Sequence, residues 1–341
     1  MKPFIYTIVL LVFSTHLLSA QTRKFSYSEM KMGSAFNLII VSTDSNKANH
    51  LAQKSFALVD SLSHIFSNYD SSSELSKINA SAGLLPYKMS TAMLDLVQKS
   101  QYAFLQSKGS YDISIGPLST LWRNARKAKF FPEVSTVLAS KKLVGFAQVK
   151  INQRLGTIFL PSAGMQLDFG GIAKGYIAQW VINYLKANGI QQALADAGGD
   201  IVMSGAPLNQ KGWLIGVNLP ETTDELLNKK LQLSNCSVAT SGDVYQFIEY
   251  KGVKYSHIIN PLTGYGVTNL RNVTIIAKAG STADWLATAC SILPIKEAMQ
   301  LAISNQAALL ITTLRNGKLV FEATPNFKNY WQTANIIQGK K

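Results

Sequence analysis

The chain has 341 residues, 47% hydrophobic and 15% charged, with a net charge of +14. That is enough apolar material for one large core, and the 10% aromatic content excludes a disordered tail. Only Phe4–Ala20 is long and apolar, which excludes a multi-span membrane protein.

Residues 1–20 read as a signal peptide. Lys2 forms the basic n-region, Phe4–Phe13 the apolar stretch, and Leu18-Ser19-Ala20 the small-residue cleavage site. Gln21 stands where a lipoprotein would carry its lipidated Cys. The expectation is therefore export as a soluble periplasmic protein, without lipid anchor or stable membrane insertion, whose single domain covers 21–341 with a core at about 26–327. The positive balance favours anionic partners. Nucleic acid is not expected, because no basic run is interleaved with aromatics. Arg123, Arg126, Lys127 and Lys129 form the densest basic cluster and read as a solvated surface segment.

In chain order, Phe36–Val41 reads as a strand, and Leu51–Phe66 and Ser90–Gln106 as helices. Gly156–Leu160 is a short strand. Lys174–Ala187 is the clearest helix, with Ile177, Trp180, Val181, Tyr184 and Leu185 on one stripe and Asn188-Gly189 as its stop. Strands follow at Ala193–Ala197 and Trp213–Asn218, and a hairpin joins Tyr245–Tyr250 to Tyr255–Ile259. Val273–Ala277 is a strand leading into a helix from about Thr282. A closing hairpin joins Ala307–Thr312 to Leu319–Glu322 around Asn316-Gly317. No βα alternation is sustained, so the class is α+β with much antiparallel sheet.

Four groups of residues could carry chemistry. Asp168-Phe169-Gly170-Gly171-Ile172-Ala173-Lys174-Gly175 opens the strongest helix and is either a phosphate cradle or a plain glycine turn. Ala197-Gly198-Gly199-Asp200 either places Asp200 at a strand end or is a plain tight turn, with the plain turn favoured. Ala239-Thr240-Ser241-Gly242-Asp243 precedes Ser256–Tyr265, which holds His257, a candidate general base or a structural histidine. Four histidines, one of them in the leader, leave no three-histidine zinc site with a supporting motif. On the helix from Thr282, one face holds Asp284, Ala287, Thr288 and Ser291. Its small oxygen-bearing residues suit either solvent or a hard cation. Cys236 and Cys290 are compatible with one disulfide or two thiols.

Together these segments resemble the ApbE family, the FAD:protein FMN transferases. The likeness runs in family order from Met32-Gly33-Ser34 through Phe66–Tyr69, Ser73–Ser76, Tyr111-Asp112, Gly116–Leu118 and Leu121-Trp122. It continues through Asp168–Gly175, Ala197–Asp200, Ala239–Asp243, Ser256–Gly264 and Ala283–Thr288. The resemblance implies an ApbE-like (T-fold-like) fold of mixed, largely antiparallel sheets with flanking helices and a cleft between two intertwined subdomains. It implies a transferase that moves FMN from FAD to a Thr or Ser hydroxyl of an exported acceptor flavoprotein, releasing AMP. Such an acceptor would be a subunit of a redox membrane complex or an exported reductase carrying a flavinylation motif.

Carried over by position, flavin contacts fall on Met32, Tyr69, Ser110, Tyr111, Asp112, Asp168, Lys174 and Ile258. Mg²⁺ falls on Asp284 and Thr288 with main-chain oxygens near Gly171 and Ala287. His257 and Asp284 are the implied catalytic pair. Tyr69 and Tyr111 are expected beside the flavin or adenine. Ser34, Phe169, Asn260 and Gly266 depart from the usual Thr, Leu, Asp and Pro, and basic residues replace the usual Gly-rich continuation after Trp122. An FAD pyrophosphatase with water as acceptor, or a non-catalytic FAD-binding protein, would use the same residues.

Overall fold

The computed structural model describes residues 21–218, 227–242, 246–315 and 318–332. The expected leader, Asp243, Tyr245 and the Asn316-Gly317 turn lie outside the described residues. The elements in chain order are β1 (Arg23–Lys31), β2 (Ser34–Ser42), α1 (Ser45–Phe66), α2 (Glu74–Ala80), β3 (Tyr87–Lys88), α3 (Thr91–Gln106), α4 (Gly116–Ala128) and α5 (Val134–Lys141). Then come β4 (Lys150–Asn152), β5 (Thr157–Phe159), α6 (Ala173–Ala187), β6 (Ala193–Ala197), β7 (Asp200–Ser204), β8 (Trp213–Ile215), β9 (Leu231–Leu233) and β10 (Ser237–Ser241). The last are β11 (Phe247–Tyr250), β12 (Val253–Ser256), β13 (Arg271–Ala277), α7 (Gly280–Ile292), α8 (Ile295–Ser304), β14 (Ala308–Arg315) and β15 (Lys318–Ala323).

An eight-stranded sheet in the order β1-β2-β6-β7-β10-β13-β14-β15 is the frame, and every neighbouring pair is antiparallel. All seven residues of β13 are buried, because both faces of the sheet are covered. Strand alternation sends Val273, Ile275 and Ala277 into the helix-side core and Ile276 into a second core on the other face, with Trp213, Leu231 and Phe327. On β6, Ala193, Ala195 and Ala197 face the helices while Leu194 faces the other way. Those alanines leave room for α6 to lie close to the sheet.

A third, smaller cluster joins α4 and α5 to the β11–β12 layer. Leu118, Trp122, Val137 and Ile259 are its buried centre, with Phe131, Tyr255 and Tyr265 around it. The Trp122 indole Nε1 donates to Gly264 O at 2.8 Å. Phe131 stacks on Tyr250 with ring centroids 4.1 Å apart. Cys290 lies in the helix-side core and Cys236 packs against the core on the opposite face, so the two are separate free thiols. Among the described residues, no helix is long and apolar enough to cross a membrane.

Candidate active site

The site forms where α6 and α7 touch. A Cβ on Gly175 would lie 2.2 Å from Gly280 O, and one on Gly280 would lie 2.1 Å from Gly175 O. Only two glycines allow backbones this close. Arg271 on β13 fixes the far end of α7 by donating from Nη2 to Cys290 O (2.6 Å) and Leu293 O (2.5 Å). The close approach lets the Gly175 N–H donate to Asp284 Oδ2 at 3.0 Å. Asp284 is buried, and burial pushes its carboxyl up to about 7, against the lowering effects of that N–H and of Lys174.

Lys174, one residue before Gly175, points toward the β1–β2 turn, with its Nζ 3.5 Å from Ser34 Oγ. Gly198 completes this corner: at φ +73° it is left-handed, and a Cβ there would lie 2.4 Å from Ser34 Oγ and 3.2 Å from Lys174 Nζ. Asp200, at the start of β7, belongs to the same cluster. Burial and then Asp284 drive its carboxyl well above the usual range, Lys174 opposes, and Asp196 adds to the rise. Asp196 is held by the Gly199 N–H at 2.8 Å and by Asn37 Nδ2 at 3.2 Å. Of the two readings the sequence allows for Ala197–Asp200, a plain tight turn or a turn that sets Asp200 at a strand end, the structure shows the second, with Asp200 opening β7.

The glycine turn before α6 abuts α7 directly. A Cβ on Gly171 would meet Thr288 Oγ1 at 2.7 Å and Tyr111 Cε2 at 3.2 Å. Asp284 and Thr288, one helical turn apart, thus both face the Gly171–Gly175 segment. Ala287, also on α7, is buried, and its carbonyl accepts from Ser291 Oγ at 2.8 Å. A carboxylate, a hydroxyl and main-chain carbonyls are hard oxygen donors of the kind Mg²⁺ takes. Among the described residues there is no cage of three or more His, Cys, Asp or Glu. An ion here would have the Asp284 carboxylate and would draw its other protein ligands from carbonyl and hydroxyl oxygens. The α7 face is not a solvent face: Asp284, Ala287 and Ser291 are buried and Thr288 is half-buried.

Asp168 ties down the start of the turn. Its Oδ1 accepts the Gly170 N–H at 2.7 Å and its Oδ2 accepts Asn68 Nδ2 at 2.8 Å. His257 stands just after β12. Its backbone N–H donates to Gln246 O at 2.8 Å, and its Nδ1 is buried with no hydrogen-bond partner among the described residues. The imidazole is pushed down to about 4, first by burial, then by Arg126, with a smaller push from Lys174; the Gln246 backbone, acting on the ring, opposes. Arg126 Nη2 lies 3.4 Å from Gln246 Oε1.

The other expected contacts divide. Met32 (φ 51°) sits half-buried in the β1–β2 turn, beside Ser34. Ser110, Tyr111 and Asp112 lie buried between α3 and α4. Asp112 serves the fold: Oδ1 accepts from Ser114 N (2.7 Å) and Oγ (2.6 Å), and Oδ2 from Phe146 N (3.2 Å). Ile258 is buried, with its N–H on Ser256 Oγ and its carbonyl accepting from Val267 N. The two tyrosines differ. Tyr111 is buried under Gly171 against Trp285, at 6.2 Å between centroids, and burial drives its hydroxyl well up. Tyr69 is 82% exposed, with Arg123 stacked on its ring at 4.5 Å. Nor is the basic cluster all solvated surface. Lys127 and Lys129 are exposed, but Arg123 and Arg126 are half-buried and turned toward the site.

Comparison with known proteins decides the family. A family model described as the ApbE family matches residues 32–311. The chain belongs to the ApbE family. It is 31% identical over 266 residues to the FAD:protein FMN transferase of Klebsiella pneumoniae (strain 342), covering 78% of this chain and 81% of that one. It is 29% identical over 289 residues to the FAD:protein FMN transferase of Treponema pallidum (strain Nichols), covering 80% of each. The solved flavin transferase ApbE from Vibrio cholerae superposes with a TM-score of 0.81 at 26% identity, covering 91% of this chain and all of that one. The expected ApbE-like α+β fold, with its largely antiparallel sheet, is the fold observed.

Proposed function

We propose that this ApbE-family protein transfers FMN from FAD to a Thr or Ser hydroxyl of an acceptor protein and releases AMP. The observation that carries the reading is the Gly175–Gly280 contact, which gathers Lys174, Asp284, Thr288 and the Gly170-Gly171 backbone at one point, close enough for the Lys174 charge to act on His257. The names of its relatives support the same chemistry.

In this mechanism the acceptor oxygen forms a bond to the FMN-side phosphorus. The bond from that phosphorus to the bridging oxygen of the diphosphate breaks, and the electron pair leaves with AMP. The hydroxyl proton goes to the His257 imidazole; burial and Arg126 keep it unprotonated and at the same time lower its proton affinity. Lys174 and the backbone N–H groups of the glycine turn hold the diphosphate charge. Asp284 and Thr288, with main-chain oxygens near Gly171 and Ala287, would hold a Mg²⁺ ion, which would supply further neutralisation of phosphate charge. Phosphoryl transfer asks mainly for such positioning and charge stabilisation. Tyr69 offers an exposed ring for a flavin or purine, whereas Tyr111 supports the glycine turn from beneath. Met32, Ser110, Asp112, Asp168 and Ile258 shape the walls. The leader over residues 1–20 supports export, with an exported protein as acceptor.

The test is incubation with FAD, Mg²⁺ and a candidate acceptor domain, followed by intact-mass measurement. The expected result is a gain of one FMN on the acceptor, lost with EDTA and with His257→Ala. FMN and AMP appearing at full rate without acceptor labelling would instead identify a pyrophosphatase.

A further inference from the structure

Arg123 makes three contacts at once. Its Nη1 donates to Asn68 Oδ1 at 3.3 Å, its Nη2 to Thr120 Oγ1 at 3.2 Å, and its guanidinium carbon lies 4.5 Å from the centroid of the Tyr69 ring. Asn68 passes the connection on: its Nδ2 donates to Asp168 Oδ2 at 2.8 Å, and Asp168 Oδ1 accepts the Gly170 N–H at 2.7 Å. A continuous polar chain thus runs from α4, through the α1–α2 connection, to the glycine turn that abuts Thr288. The Asn68 amide is locked in one sense. Flipping it would set its NH₂ against a guanidinium and its carbonyl against a carboxylate.

A tyrosine as exposed as Tyr69 has no packing to hold its ring. Arg123 covers one face by cation–π contact and leaves the other open. The fork geometry matters, because an ammonium group at this position could keep the charge over the ring but not both planar hydrogen bonds. The helix does not need Arg123 for its core: α4 buries Leu118, Trp122 and Ala125.

We infer that Arg123 is a positioning residue for the dinucleotide site. It fixes Tyr69 as an open-faced platform for a planar ring, and through Asn68 and Asp168 it fixes the glycine turn that receives the diphosphate. This rests on the reading that FAD binds here.

The experiment measures FAD affinity of the full chain by flavin fluorescence titration, and KM and kcat for FAD turnover with Mg²⁺. The proteins are wild type, Arg123→Ala, Arg123→Met, Arg123→Lys and the exposed control Lys127→Ala. Arg123→Ala and Arg123→Met are expected to weaken FAD binding about tenfold and to raise KM in step, with kcat within about twofold of wild type. Arg123→Lys restores about half of the loss on a logarithmic scale, and Lys127→Ala changes nothing. Should Arg123→Ala fail to fold, Arg123→Met keeps the aliphatic stem and decides the matter. Wild-type affinity in the folded variants, or a fall in kcat at unchanged KM, overturns the inference. Failure of wild type itself to bind FAD overturns the functional reading instead.

Discussion

The Gly175 N–H donates to Asp284 Oδ2 across a helix pair whose backbones touch. That bond ties the first turn of α6, which carries Lys174, to the α7 face that carries Thr288. The charged groups of the site therefore hold their spacing only as long as α6 and α7 stay in backbone contact.

Gly175→Ala puts this to the test. The new methyl would lie 2.2 Å from Gly280 O and 2.9 Å from the Asp284 Cβ, both on a helix that cannot give locally. The helices must separate, at a cost of about 3 kcal/mol or more in urea unfolding. Gly199→Ala is the contrast: nothing lies within 4 Å of its would-be Cβ, and only the left-handed φ of +99° opposes it. It should cost about 1 kcal/mol.

Asp284→Asn should separate the metal's effect from that of the fold. With its folded-state pKa raised from 3.8 to about 7, Asp284 favours the protonated form in the folded chain. The metal-free protein should therefore lose stability as pH rises from about 4 through 7, the direction set by an unfolded state that gives up its proton first. Asp284→Asn removes that loss, so its thermal midpoint in EDTA at pH 8 should exceed that of wild type. Adding Mg²⁺ should raise the wild-type midpoint and leave that of Asp284→Asn unmoved. Thermal scans at pH 5 and pH 8, with EDTA and with Mg²⁺, read all of these effects.

His257 has the opposite shift. Its folded-state pKa is lowered from 6.5 to about 4, so the unfolded chain takes up the proton first and stability falls as pH drops from about 6.5 toward 4. In the folded chain the imidazole stays mostly neutral until the pH approaches 4. The acid limb of the pH–rate profile assigned to it should lie near 4 rather than near 6.5. Arg126→Ala removes one source of the depression and should move that limb upward. His257→Ala should lower kcat by about 10²–10⁴ at every pH where the base acts.

How far the sequence revealed this depends on which interactions are local. β6 is read with the observed bounds, Ala193–Ala197, because its small apolar run ends at two glycines. α6 is legible from its stripe, and α7 from the small residues around Asp284, which pack on α6 and the sheet rather than face water. β1, α2, α4, α5 and α8 are not legible as elements. α4 shows why: Leu118, Trp122 and Ala125 follow helical spacing, but Pro117 and the basic residues interrupt the apolar pattern. The link of Asp200 to Asp284 is not legible, because it depends on the β7–β10 pairing and the α6–α7 crossing, which join segments far apart in the chain. Arg123 and Arg126 escaped because a basic run has the same composition whether it faces water or, as here, lies along one side of a site.

The α4 layer supplies the last test, since it braces the segment that carries His257. Trp122 Nε1 donates to Gly264 O at 2.8 Å, and Gly264 sits at φ +83° with Val137 Cγ1 only 2.9 Å from a would-be Cβ. The turn from Asn260 to Tyr265 closes on itself through Gly264 N to Asn260 O at 2.8 Å and Asn260 N to Tyr265 O at 2.9 Å. Trp122→Phe keeps an aromatic ring in the cluster with Phe131 and Tyr255 but leaves the Gly264 carbonyl without its indole donor. The expected cost is about 1–2 kcal/mol in global stability. Amide hydrogen exchange should quicken from about Ser256 to Val267, while α6 and α7, held by their own backbone contact, keep wild-type protection. Equal loosening of both regions would show that the α4 layer and the α6–α7 pair open as one unit.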